Sequence, residues 1–63
     1  MPSETIKQVL MRRDGMTEQE ADNLIIDAKA ALQEYLDEGD IFAAEDICAE
    51  YFSLEPDYLM ELL

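Results

Sequence analysis

Everything in this chain has to be built around the stretch from Thr17 to Gly39. Thr17 with Glu20 three residues later is a capping box, in which a hydroxyl and a carboxylate reciprocally satisfy the open amides of a first helical turn. No proline or glycine interrupts the residues that follow. Ala21, Ile25, Ala28, Leu32 and Tyr35 recur in steps of four and three, and Leu24, Ala31 and Leu36 widen that stripe. Gly39 then supplies a left-handed stop. The pattern predicts one helix from Glu18 to about Glu38, which at ~1.5 Å per residue is about 30 Å long, the width of a whole small domain. The remaining elements must therefore pack against this helix. Ile26 falls off the stripe, with Ala30 one turn beyond it. A second apolar contact such as a dimer face would account for it, although a single surface isoleucine needs no account.

Shorter helices flank it. Ser3 is expected to cap a first helix through about Arg13, with Ile6, Val9 and Leu10 on one face and Gly15 as its stop. Arg12 and Arg13 suit the negative end of that helix, and they serve either a partner or this chain's own charges. Asp40 is placed to cap a third helix, about Ile41 to Phe52. Ile41, Ala44, Ile47, Cys48 and Tyr51 would face inward there, and Glu45, Asp46 and Glu50 outward. Cys48 lies inside that stripe and reads as a small core residue rather than a reactive thiol. Glu55-Pro56 opens a last short helix whose apolar face is Leu59, Leu62 and Leu63. No strand-like alternation occurs. The expected fold is all-α, a single domain over residues 1–63 of three to four helices, with a long central helix and a C-terminal half like a helix-turn-helix.

A chain of 63 residues buries only roughly 60% of its unfolded surface, so disulfides, a metal or self-association usually supplement such a core. Cys48 is the only cysteine and histidine is absent, which removes an internal disulfide and a thiolate–imidazole metal site. Self-association remains, and a homodimer is expected. Its candidate interface is Ile26, Ala30, Met60 and Leu63, with part of the Leu24 side. The opening MPSETIKQVL has no apolar run after a basic start, and no later run approaches a membrane span. A cytoplasmic protein is expected.

Charge is distributed unevenly. Residues 1–29 hold six acids and four bases, whereas residues 30–63 hold ten acids and no base; the whole chain carries a net charge of −12. That field repels nucleic acid and anionic membrane and attracts cationic protein surfaces; solubility alone is the plainer reading. It also conflicts with the helix-turn-helix grammar of AEYFSLEPDYLMELL, residues 49–63. Ala49 fits the small position, Phe52 and Leu54 flank the turn, and Leu59 and Leu62 fit the locking positions. Ser53 stands where glycine is commoner. The groove-facing positions would be Glu55, Pro56, Asp57, Met60 and Glu61, none of them cationic. DNA affinity rests on Lys and Arg against phosphate, so direct nucleic-acid binding is not expected.

Enzyme chemistry has little to work with. A general acid or base needs a cleft that shifts its pKa, and a short helical chain offers little concavity. A Ser-His-Asp or Cys-His set is ruled out by the absence of histidine, and the two glycines make no phosphate loop. DEGD, residues 37–40, with Glu45 six residues past Gly39, invites a calcium reading, but the alternating ligands before the glycine are missing. No cofactor and no metal are expected.

Three blocks, RRDGMTEQEA (12–21), GDIFAAEDI (39–47) and YFSLEPDYL (51–59), resemble a group of very small acidic helical proteins encoded by tailed phages and prophages. The group includes an inhibitor of the Hachiman anti-phage defence system. The shared positions are helix caps and core residues. The resemblance implies a stoichiometric inhibitor that binds a host protein, without chemistry of its own. An accessory or adaptor phage protein with a structural or assembly role is the alternative, and a regulator using the helix-turn-helix-like half is disfavoured by charge. The expected partner is a host protein with a basic surface. Glu45, Asp46, Glu50, Glu55 and Asp57 are the expected contacts, with Tyr51 or Tyr58 as an aromatic anchor; core packing of both tyrosines is the competing reading.

Overall fold

The computed structural model describes residues 4–63. Four α-helices follow in order: α1 (Ile6–Arg13), α2 (Glu18–Glu38), α3 (Ile41–Glu45) and α4 (Ile47–Phe52). A 3₁₀ helix (Pro56–Glu61) closes the chain, and no strand occurs among the described residues. The fold is all-α with a long central helix.

Helix α2 has the limits its caps predict. The Thr17 hydroxyl accepts from the Glu20 amide at 3.2 Å, and the Glu20 carboxylate accepts from the Thr17 amide at 3.0 Å. At the far end Gly39 adopts φ 76°, its amide donates to the Leu36 carbonyl, and the Asp40 amide donates to Tyr35 at 2.8 Å. These paired bonds are a Schellman closure. Helix α1 is capped by Thr5 rather than by the expected Ser3, which lies outside the described residues. Thr5 has Gln8 three residues on, and the two close a second capping box through bonds of 3.2 and 2.8 Å. Ser3 has Ile6 at that offset, which cannot reciprocate.

The third helix departs from expectation. It breaks at Asp46 (φ −87°, ψ −2°), and the chain restarts as α4. Aspartate is a weak helix former in a helix interior, although the Asp46 carboxylate makes no cap bond of its own. With the break, the inward stripe is cut: Ala44, Ile47 and Cys48 are buried and Tyr51 is half-buried, but Ile41 is exposed. The last element also differs, being 3₁₀ rather than α. Glu55 is held extended before Pro56, and amide bonds from Tyr58 to Glu55 and from Leu62 to Leu59 take the three-residue spacing.

Helix α2 packs against α1, α3 and α4, and α4 packs against the 3₁₀ helix. The core joins Ile6 and Leu10 of α1, Ala21, Ala28 and Leu32 of α2, and Ala44 of α3. Ile47, Cys48 and Phe52 of α4 and then Leu62 complete it. Alanines at 21, 28 and 44 let the helices approach closely. The longest dimension, 33 Å, is close to the length of α2, whose 21 residues span about 32 Å.

Candidate protein-binding surface

Three of the four cations are spent on the fold. Lys7 joins α1 to α2 by pairing with Glu18 at 3.5 Å and Asp22 at 3.1 Å, and its hydrogen bond to Asp22 holds its pKa above the usual lysine value. Arg12 forks onto the Glu4 carboxylate through two bonds of 2.8 Å, holding that carboxyl below its ordinary value. Arg13 pairs with Asp14 at 2.9 Å and lowers its pKa likewise. The same guanidinium donates to the carbonyls of Phe52 and Ser53, closing the C-terminal end of α4. These arginines therefore act within the chain. Lys29 makes no ion pair among the described residues.

Acids of the C-terminal half have no such partners. Among the described residues none from Glu34 to Glu61 forms an ion pair. Asp40 is used locally, its carboxylate accepting from the Ala43 amide at 3.1 Å. Glu61 reaches across the fold and accepts from the Ile6 amide at 3.2 and 3.3 Å, so the end of the chain caps the start of α1. A residue expected to face a DNA groove is thus turned onto its own protein. Ala49, expected to pack at the helix-turn-helix contact, is exposed, and the small residues buried there are Ala44 and Cys48. Ser53 occupies the left-handed region at φ 55°, as its place in the turn predicts for a glycine-like position.

The expected contact residues divide into two sets. Glu45, Asp46, Glu50, Glu55 and Asp57 are all exposed. Tyr51 and Tyr58 fall between the anchor and the core readings. Both are half-buried against the core, and the Tyr51 ring leans on Phe52 with centroids 6.4 Å apart. Helical spacing put Tyr51 on the inward face of its element, whereas Tyr58 lies beside the expected Leu59, Leu62 and Leu63 face. Tyr35 points its hydroxyl at Glu50 across 3.5 Å, and that negative charge pushes the phenol pKa up. Of the candidate dimer residues, Ile26 is 62%, Met60 70% and Leu63 77% exposed, and Ala30 is exposed too. Leu24 instead packs against the core.

Periodicity did not single out the most exposed aromatic of the chain. Phe42 is 84% exposed and its neighbour Ile41 61%. The available signal was that Phe42 lies off the stripe formed by Ala44, Ile47 and Cys48. A short helix whose inward face is already filled has no room for it. Helical spacing places Glu45 and Asp46 three and four residues past Phe42, hence on its side of α3. The surface therefore combines unneutralised carboxylates with unburied apolar side chains, a chemistry suited to holding a cationic, partly apolar partner. Among the described residues the core contains no buried polar or charged side chain. No helix there is long and apolar enough to cross a membrane. Comparison with protein-family models, with curated proteins and with solved structures finds no match to this chain.

Proposed function

We propose that this chain is a small acidic binding module that occupies a basic surface on a protein and blocks it. The observation that carries the reading is the division of charge. Lys7, Arg12 and Arg13 are held in intramolecular pairs, while among the described residues the acids of residues 30–63 form no ion pair. An excess of charge of one sign raises the encounter rate with a cationic protein and sets the register of docking. The same field disfavours phosphate, so the target is protein rather than nucleic acid. The resemblance of residues 12–21, 39–47 and 51–59 to small phage proteins supplies the setting: inhibition of a bacterial anti-phage defence protein in the cytoplasm of the host. A homodimer through Ile26, Ala30, Met60 and Leu63 belongs to this reading, and it fails if light scattering at micromolar concentration gives a mass near 7.2 kDa.

Two experiments test the function. Phage plating is measured on cells carrying single defence systems, with and without this gene; rescue in one background is expected, and no rescue across a broad panel favours an assembly role. Capture of the rescued system's protein is then repeated with Glu50, Glu55 and Asp57 changed to lysine. All three side chains are exposed, so helicity should persist while capture weakens, because the reversed charges slow the encounter with a cationic target. Undiminished capture by the folded triple variant would make the acidic face a solubility coat.

A further inference from the structure

We infer that the outward face of α3 is the docking point, and that it takes a basic amphipathic polypeptide segment. This deepens the proposed function and rests on it. Phe42 and Ile41 are 84% and 61% exposed at the start of α3 while Ala44, two residues on, is buried. The helix thus turns its small residue to the core and its large apolar ones outward. That arrangement is the reverse of what burial alone selects in a chain short of core. Within five residues of them along the chain are Asp37 and Glu38 at the end of α2, Asp40 at the α3 cap, and Glu45 and Asp46 at the α3 end, all exposed and, among the described residues, none ion-paired.

Charge complementarity decides the occupant. A two-fold contact of α3 with the α3 of a second copy would bring those five carboxylates against the same five, with no base in residues 30–63 to meet them. An anionic membrane surface is repelled by the same groups. A segment carrying an apolar ridge flanked by Lys or Arg satisfies both halves of the surface: the ridge covers Phe42 and Ile41, and the cations meet the acidic rim. Such a helix-in-groove or helix-on-face contact needs no pocket, only an anchor with a matching rim. Tyr51 and Tyr58, half-buried, offer less uncovered area than Phe42.

The test uses the intact chain and two probe peptides of equal positive charge. One is an amphipathic helix of leucine and lysine; the other is lysine and serine with no apolar face. Amide shifts are followed by two-dimensional NMR at near-physiological salt, and affinities by calorimetry, for the wild type and for Phe42→Ser. The amphipathic peptide should move the amides of Leu36 through Asp46 most. Phe42→Ser should lose roughly tenfold to a hundredfold in affinity for it, the effect of truncating an interface anchor, with the lysine–serine peptide unaffected. If both peptides bind the wild type equally and Phe42→Ser changes nothing, the acidic binding module stands and the α3 docking point falls. Shifts centred on Glu50 to Tyr58 overturn it in the same way. If neither peptide binds, the proposed function falls with it. A wild-type dimer that Phe42→Ser converts to monomer shows a second copy covering α3, and refutes the assigned occupant. The wild-type shift map is decisive even if Phe42→Ser folds poorly.

Discussion

Replacing Ser53 by glycine should stabilise this protein, and the size of the gain follows from the backbone. Among the described residues Ser53 is the one non-glycine residue with positive φ, at 55°. It ends α4 through its amide bond to Ala49, and the next amide, of Leu54, returns to Cys48 at 3.1 Å. A side chain in the left-handed region costs about 1–2 kcal/mol through crowding of Cβ against the carbonyl. Glycine removes that cost but adds about 0.5–1 kcal/mol of unfolded-state freedom. The net is a gain of about 0.5–1 kcal/mol, which at roughly 4–8 °C per kcal/mol for a domain this size raises Tm by about 2–8 °C. Ser53 is exposed, so no packing change confounds the comparison. The inverse substitution, Gly39→Ala, is its control. Gly39 has φ 76° and an added Cβ would meet nothing within 4 Å, so any loss is conformational. Tm is read by circular dichroism and ΔG by urea unfolding with unchanged m. An unchanged or lowered Tm for Ser53→Gly, with Gly39→Ala destabilised as expected, would refute the reasoning. The turn would then be held by the Arg13 bonds to the Phe52 and Ser53 carbonyls strongly enough to relieve Ser53 of strain.

Thr17→Ala removes the hydroxyl half of the α2 capping box and should cost about 1 kcal/mol in urea unfolding; a loss below a few tenths would show α2 held by packing alone. Glu20, Glu4 and Asp14 all have native pKa values below their ordinary ones of 4.5, 4.5 and 3.8. The first is lowered by hydrogen bonds at Thr17, the others by Arg12 and Arg13. Their contribution is therefore present above those ordinary values and lost as pH falls through the lower native ones. Glu20→Gln should flatten that part of the acid limb of a Tm–pH curve, and an identical limb in the variant would contradict it. Cys48 is fully buried and its thiol is pushed up by burial and by the Glu61 charge; a thiol reagent should label it at the unfolding rate, and rapid labelling of the native protein would place it in an open site. Duplex and single-stranded DNA should give no anisotropy change at near-physiological salt, whereas a salt-sensitive submicromolar complex would revive a regulator.

The sequence by itself settled what depends on neighbours along the chain. Helix α2 ran between Thr17 and Gly39 as its caps require, because capping boxes and left-handed stops are made by residues three to five apart. Cys48 in the core and Ser53 in the turn were legible for the same reason: helical spacing assigns a face, and turn position assigns a backbone conformation. Local rules stopped short at Asp46, where a stripe that reads as continuous from Ile41 to Tyr51 is broken and Ile41 is left outside. Only the tertiary structure decided that. It also turned Glu61 back to the Ile6 amide, 55 residues away, and bent Arg13 onto the end of α4. The candidate surface moved with these contacts. Periodicity can say that Tyr51 shares a face with the core and that Phe42 does not. Which apolar side chains run out of room is set by the space between α2, α3 and α4, and that space exists only once the three helices are packed.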